Sequence, residues 1–268
     1  MNTGKLTEPF RRLGWMHQLD RLKFWVQKRK NTKRNARFAQ QHPGVAFPPD
    51  YMLFEAFQLD YQKYLEGGKQ TAAWIKALFE KHASMQGKTV LDWGCGPARV
   101  IRHFPEMLGQ GATVHGTDYN AITIEWCIGH IPGIQFAQNQ LNPPTEYANA
   151  QFDFIYGISI FTHLSEVNHL AWFSELMRIC KPGGLVLLTT HGEIFRQKLT
   201  NTEQLQFNRG ELVVRGNVVE GHRVFAAFHP PSYMRRLYAE KAEVLEHIPG
   251  GPKAWGLEQD VWILRRKS

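Results

Sequence analysis

Cysteine is scarce: Cys95, Cys127 and Cys180 are the only three in 268 residues. They lie far apart and make no C-x-x-C pair, which argues against a disulfide scaffold and a zinc site and suits three free thiols in a reducing cytoplasm. No uninterrupted apolar run reaches about 18 residues, so no transmembrane helix is expected. The first residues lack the apolar core of a secretory signal, which points to a cytoplasmic location. Internal repeats and low-complexity segments are absent as well. So is a general excess of positive charge. The net charge of +8 is concentrated in residues 1–40, where eleven Lys or Arg face two acids. The rest of the chain is close to neutral, so a basic total is no argument for a nucleic-acid substrate, and no nucleic-acid partner is expected.

What is present is a globular chain. Hydrophobic residues make up 43%, enough for a packed core, and the length suits one doubly wound domain with extensions. Residues 1–40 form a basic amphipathic arm. Leu13, Met16, Leu19, Leu22 and Val26 recur at helical steps beside Trp15 and Trp25, and Arg12, Arg21, Lys23, Lys28, Arg29 and Lys30 fill much of the rest. Two readings stay open: a helix packed on its own domain with a solvated basic face, or peripheral contact with an anionic membrane. Residues 41–85 read as a helical lid. One helix is expected over 51–64, ended by Gly67-Gly68, and a second over 71–82. Tyr61 and Tyr64 are candidates to reach a bound ligand, with aromatic core packing as the alternative.

The remaining segment, 86–268, is organised around Val90-Leu91-Asp92-Trp93-Gly94-Cys95-Gly96-Pro97-Ala98-Arg99. An apolar strand runs into a glycine turn, and helical spacing follows from Arg99 to Phe104. Glycine serves where backbone must turn sharply or approach a ligand closely. A dinucleotide fingerprint needs a third glycine, and Arg99 stands at that position. Instead Asp92 precedes the first glycine. A carboxylate there opposes a pyrophosphate and favours an ammonium, hence a ligand with an amino-acid end.

Further along, Thr113 to Asp118 is a second strand ending in an acid about twenty residues after the turn, a spacing suited to ribose hydroxyls. Ile134 to Gln138 is a third strand, Phe152 to Ser159 a fourth, Leu185 to Thr190 a fifth after Lys181-Pro182-Gly183-Gly184, Ala242 to Ile248 a sixth and Asp260 to Leu264 a seventh. A helix is expected over 165–179 and another over 232–241. Segments 211–215 and 222–228 read as an antiparallel hairpin inserted after the fifth strand, so that 193–230 would cap an acceptor pocket.

Asp92-Trp93-Gly94-Cys95-Gly96, the strand-end Asp118, Phe152-Asp153-Phe154 and Pro182-Gly183-Gly184 occur in the order found in class I S-adenosylmethionine-dependent methyltransferases, and the chain resembles that family over about residues 86–190. The resemblance implies a Rossmann-like α/β fold, doubly wound, with a seven-stranded sheet whose last strand is antiparallel. It implies S-adenosyl-L-methionine as cofactor. Asp92, Trp93, Gly94, Cys95 and Gly96 would hold the methionine end, Asp118 the ribose, Tyr119, Gln140 and Leu141 the adenine, and Ser159 would lie near the methyl. Gln140 stands where the family usually has an Asp. Methyl transfer needs mainly in-line alignment, and a base only for an acceptor of high pKa. His163 and His191, at the ends of the fourth and fifth strands, are the candidates.

No Pro-Cys or Asp-Pro-Pro-Tyr follows the fourth strand, and Asn142-Pro143-Pro144 follows the third and reads as a loop. A small-molecule acceptor is expected, an oxygen on a sugar, glycan precursor or other metabolite. The Thr190-His191-Gly192 segment and the Gln259-Asp260 tail resemble bacterial enzymes of that kind. A SAM-binding partner protein without catalysis, and a nicotinamide enzyme of related fold, are the alternatives.

Overall fold

The computed structural model describes residues 14–254 and 256–268; Arg12 and Leu13 of the expected arm lie outside them. The described residues divide into two compact units, 18–140 and 141–268 together with residues 14–17. The boundary falls inside the segment read as the 86–268 domain.

In the first unit, α1 (Met16–Gln41), α2 (Asp50–Ala56) and α3 (Tyr61–Glu80) precede β1 (Thr89–Trp93), α4 (Phe104–Leu108), β2 (Thr113–Asp118), α5 (Ala121–His130) and β3 (Gln135–Gln138). β1 and β2 pair in parallel, as do β2 and β3. β1 is buried from Val90 to Trp93, which is why it reads as a continuous apolar run rather than an alternating one.

Three expectations change here. The buried stripe of α1 is Met16, Asp20, Phe24, Asn35 and Phe38; Met16 is buried as expected, whereas Leu22 and Val26 face outward. The core of the helical segment, Phe24, Leu53, Phe54, Leu59 and Tyr64, takes Phe24 from α1. The helix expected over 51–64 is broken at 57–60, where Asp60 caps α3 by accepting from the Lys63 N–H at 3.2 Å. Gly67-Gly68 does not end a helix but sits inside α3. The reason is close approach: a Cβ on Gly68 would lie 2.1 Å from the Arg99 carbonyl oxygen. Third, the glycine turn does not open directly into a helix. Residues 96–100 are turn, a 3-10 stretch covers Ile101–His103, and α4 begins only at Phe104.

The second unit runs through β4 (Phe152–Gly157), α6 (Glu166–Ile179), β5 (Cys180–Thr190), α7 (Asn201–Asn208), β6 (Val213–Arg215), β7 (Ala226–Phe228), α8 (Pro231–Tyr238), β8 (Ala242–Ile248), β9 (Pro252–Lys253), β10 (Gly256–Leu257) and β11 (Asp260–Arg266). β4 and β5 are parallel, while β11 is antiparallel to both β5 and β8. The seven-stranded sheet has the order β3-β2-β1-β4-β5-β11-β8, the doubly wound arrangement with an antiparallel last strand. β6 and β7 form the expected hairpin, shorter than read from sequence. Ahead of it the insertion also holds a 3-10 stretch, Glu193–Lys198, and α7, whose Thr200 and Glu203 make a capping box. Phe195, Leu199, Phe207, Val213 and Phe228 give the insertion its own apolar core. Among the described residues no helix is long and apolar enough to cross a membrane.

Candidate active site

In the first unit the glycine turn is a tight, internally bonded loop. Gly94 and Gly96 have φ of 77° and 50°, the left-handed region that glycine enters at no steric cost. The Gly94 and Cys95 N–H groups both donate to the Thr117 carbonyl, at 2.8 and 2.9 Å, and the Ala98 N–H donates to the Cys95 carbonyl. The Gly96 N–H donates to Asp118 Oδ2 at 3.0 Å. Three of these four donors are thus engaged by the end of β2 and one within the loop, so none of the four is free to build a nest for a pyrophosphate.

Asp118 sits at the end of β2, half-buried, and its Oδ1 accepts from the Asn120 N–H at 2.9 Å. Burial raises its pKa against the pull of those backbone donors. The Tyr119 N–H is a third backbone donor to this carboxylate; with about four lone-pair sites on its two oxygens, it keeps room for a further donor. Asp92 is buried at the end of β1. The thiols of Cys95 and Cys127 are pushed up first by burial and then by Asp92 and Asp118, which places both carboxylates close to the turn. This is a site of negative potential with glycine backbone at its edge.

Trp93 and Cys95 are buried, Tyr119 is 41% exposed, and Gln140 is exposed. The loop after β3 is shaped by a residue the sequence reading passed over. Asn139 is buried, accepts from the Thr117 hydroxyl at 2.9 Å and donates to the Gln140 carbonyl at 2.6 Å. The two lid tyrosines are engaged inside this unit. Tyr61 donates to Asp50 at 3.1 Å. Tyr64 is fully buried, donates to the Pro97 carbonyl at 2.7 Å and accepts from Arg102 at 2.9 Å. Tyr64 therefore braces the glycine turn through its backbone, a contact between residues 33 apart that no local pattern shows.

The second unit carries Leu141, Ser159, His163 and His191. The Leu141 carbonyl accepts from the Trp172 indole at 2.8 Å. Ser159 has φ of 65°, a strained setting for a serine. It is held there by three partners: its N–H donates to Thr189 Oγ1 at 2.8 Å, its hydroxyl pairs with Thr162 at 2.9 Å, and Gln259 donates to the hydroxyl at 2.7 Å. Gln259 also accepts from Thr189 at 2.5 Å.

His163 and His191 have matching surroundings. His163 Nδ1 is 2.8 Å from the Phe225 carbonyl, and His191 Nδ1 is 3.0 Å from the Ala227 carbonyl. A carbonyl only accepts, so each Nδ1 carries the proton and each Nε2 presents a lone pair. The two carbonyls are two residues apart in the inserted segment, Phe225 at the end of a turn whose His222 carbonyl accepts from its N–H at 2.9 Å, and Ala227 within β7. The inserted segment thus sets the tautomer of both rings. Burial lowers both pKa values; that of His191 falls to about 3, with His163 as the second cause.

A methyltransferase-domain family model matches residues 61–237. The chain belongs to this methyltransferase family. Over 122 residues, 44% of this chain and 48% of the relative, it is 29% identical to a ubiquinone biosynthesis O-methyltransferase of Paracidovorax citrulli; the match spans about half of that protein's length. A SAM-dependent methyltransferase of Methanosarcina mazei superposes with TM-score 0.54 at 18% identity, covering 71% of this chain and 96% of that one. Magnesium protoporphyrin IX methyltransferase of Synechocystis PCC 6803, solved with bound SAH, gives 0.52 at 14%, covering 91% and 100%.

S-adenosylmethionine is the cofactor of this methyltransferase family, and the residues present fit it. The molecule is cationic at its sulfonium and ammonium groups. The glycine turn offers two buried or half-buried carboxylates and amides already spent on internal acceptors.

Proposed function

We propose that this methyltransferase moves the methyl group of S-adenosylmethionine to an oxygen of a small-molecule acceptor: a hydroxyl on a sugar, glycan precursor or other metabolite. The observation that carries this reading is the tautomer of His163. A neutral amine already carries the lone pair that attacks, but a hydroxyl gains nucleophilicity mainly as its proton leaves. His163 Nε2 is a lone pair held in place by the Nδ1 bond to Phe225. Of the two candidate bases, His191 is held at about 3 and is a weak proton acceptor. His163 is then the general base, and His191 a neighbour held neutral beside it. The name of the O-methyltransferase relative supports oxygen as the atom methylated.

The cofactor supplies a methyl group on a good leaving group. The chain's own residues bind and align. Asp92 and the carbonyls of the Gly94–Gly96 turn take the methionine end. Asp118, already oriented by the Gly96 and Asn120 amides, accepts from the ribose. Tyr119 flanks the adenine, with Gln140 and Leu141 along its edge, and Asn139 sets the loop that carries them. Ser159, its unusual backbone held by Thr189, Thr162 and Gln259, would serve the methyl end. Asp92 before the first glycine, with no third glycine, speaks against the nicotinamide alternative.

The test is turnover of S-adenosylmethionine to S-adenosylhomocysteine with a panel of hydroxylated, aminated and thiol acceptors. Turnover on hydroxylated acceptors that falls by at least about 100-fold in His163→Gln, with S-adenosylhomocysteine binding retained, supports the reading. Turnover only on amines refutes it. Cofactor binding without turnover on any acceptor points to the non-catalytic partner protein instead.

A further inference from the structure

α1 has two faces, and the first unit fixes which one points outward. The inward side is pinned by polar contacts. Asn31 donates to the Leu59 carbonyl at 2.6 Å, Asn35 accepts from the Tyr61 N–H at 3.2 Å, Arg34 pairs with Asp60 at 2.6 Å, and Lys28 pairs with Asp50 at 3.2 Å. Phe24 and Phe38 are buried on that side. On the other side Leu22, Trp25 and Val26 are 61%, 62% and 60% exposed. At 100° per residue the steps from 22 to 25 and 26 put them on one patch.

The charge on this helix is one-sided too. Arg21, Lys23, Arg29, Lys30, Lys33 and Arg37 are all exposed. The only acid between residues 18 and 41 is Asp20, and it is buried. The outward surface is therefore an apolar patch flanked and continued by cations, with no outward carboxylate from its own helix.

We propose that this face of α1 is a docking surface for an anionic lipid bilayer, on which the helix lies in the plane of the headgroups. Trp25, Leu22 and Val26 enter the boundary between headgroups and acyl chains, and the flanking lysines and arginines meet lipid phosphates. A nucleic acid would use the same cations and the indole, but it gains nothing from Leu22 and Val26. These two aliphatic side chains decide between the partners. The inference goes beyond methyl transfer and does not depend on the acceptor.

The experiment is co-sedimentation of the full-length protein with two kinds of vesicle, phosphatidylcholine alone and phosphatidylcholine with about 30 mol% phosphatidylglycerol. Wild type is compared with Leu22→Glu/Val26→Glu and with Lys23→Glu/Lys30→Glu/Lys33→Glu. All these positions are exposed, so folding is retained, and unchanged S-adenosylhomocysteine binding confirms it. Wild type is expected on the anionic vesicles and at least tenfold weaker on phosphatidylcholine, and each variant at least tenfold weaker on the anionic ones. Three outcomes overturn the proposal. The wild type stays in solution. The apolar variant binds anionic vesicles as wild type does. Or a 20-nucleotide RNA competes with vesicles and binds the apolar variant unchanged, which assigns the face to nucleic acid. Sedimentation velocity supplies a fourth: a dimer abolished by Leu22→Glu/Val26→Glu assigns the face to a second copy of the chain.

Discussion

Two neighbouring glycines inside α3 should respond to alanine in opposite directions. Gly67 and Gly68 occupy consecutive positions of the same helix. Alanine in a helix interior is worth about 0.8–1 kcal/mol over glycine. At position 67 the added methyl meets only Lys63 Cβ, at 3.9 Å, so Gly67→Ala should realise that gain. At position 68 the methyl would sit 2.1 Å from the Arg99 carbonyl oxygen and 3.3 Å from Arg99 Cγ. Restoring ordinary contact there means moving α3 or the Arg99 backbone by more than about 1 Å. Overpacking of this kind costs about 1–3 kcal/mol or more, which exceeds the propensity gain. With a chain of this size shifting about 2–4 °C per kcal/mol, Gly67→Ala should raise the thermal midpoint by about 2–4 °C and Gly68→Ala lower it by several degrees. Arg99 closes the glycine turn, and Tyr64, one turn earlier on α3, donates to Pro97. Gly68→Ala should therefore also weaken S-adenosylhomocysteine in calorimetric titration, while Gly67→Ala leaves it unchanged. A Gly68→Ala protein as stable as Gly67→Ala, with wild-type cofactor affinity, would refute the close-approach argument.

Other outcomes follow from the two units. Asp118→Ala removes the acceptor shared by Gly96 and Asn120, so S-adenosylhomocysteine should bind at least tenfold more weakly, about 1.4 kcal/mol; unchanged calorimetry would place the ribose elsewhere. His163→Gln should lower kcat by about 100-fold or more with little change in cofactor affinity, and the pH–rate profile of the wild type should lose its acidic limb in the variant. Stability should fall on acidification. His169 is fully buried, stands 2.8 Å from His229 and has its pKa lowered to about 4, chiefly by burial. The unfolded chain binds a proton near pH 6.5 that the folded chain refuses, so this contribution is complete above that pH and is lost as pH falls toward 4. At pH 5 the loss amounts to up to about 2 kcal/mol. Urea unfolding at pH 7 and pH 5 measures it, and a His169→Asn variant that shows the same drop would assign the effect to other groups. Asp60→Ala removes both the α3 cap and the partner of Arg34 and should cost about 1–2 kcal/mol; a thermal midpoint within a degree of wild type would contradict that.

Much of this protein is written in short-range pattern. β1, β4 and β5 announce themselves as apolar runs because strands covered on both faces have no polar alternation to show. Asp92, Gly94, Gly96 and Asp118 are legible because a glycine turn after such a strand, and an acid at the tip of the next, have few other uses in combination. Ser165 opens its helix from local sequence alone, whereas the helix capped by Thr200 was not read from the sequence. Gly67-Gly68 misled because a glycine pair commonly ends a helix, and only the Arg99 carbonyl packed against it shows why it does not. The apolar stripe of α1 holds at Met16 and fails at Leu22 and Val26 for a related reason. Leu19, Leu22 and Val26 have the right period, but Phe24, Asn35 and Phe38 have it as well, and the period alone does not say which set faces the core.

Composition and local pattern determined the α/β class, the strand sequence, the methyltransferase family and the positions of the candidate cofactor carboxylates. They could do so because propensity, turn chemistry and strand-end acids act over a few residues. Tertiary structure alone decided which face of α1 points outward, that Tyr64 braces Pro97 across 33 positions, and that Asn139 shapes the loop after β3. It alone showed that carbonyls of the inserted segment at 225 and 227 set the tautomers of His163 and His191. Each of these is a hydrogen bond or a packing contact between residues distant in the chain. Such contacts depend on how the elements fold back on one another, and no window of sequence contains both partners.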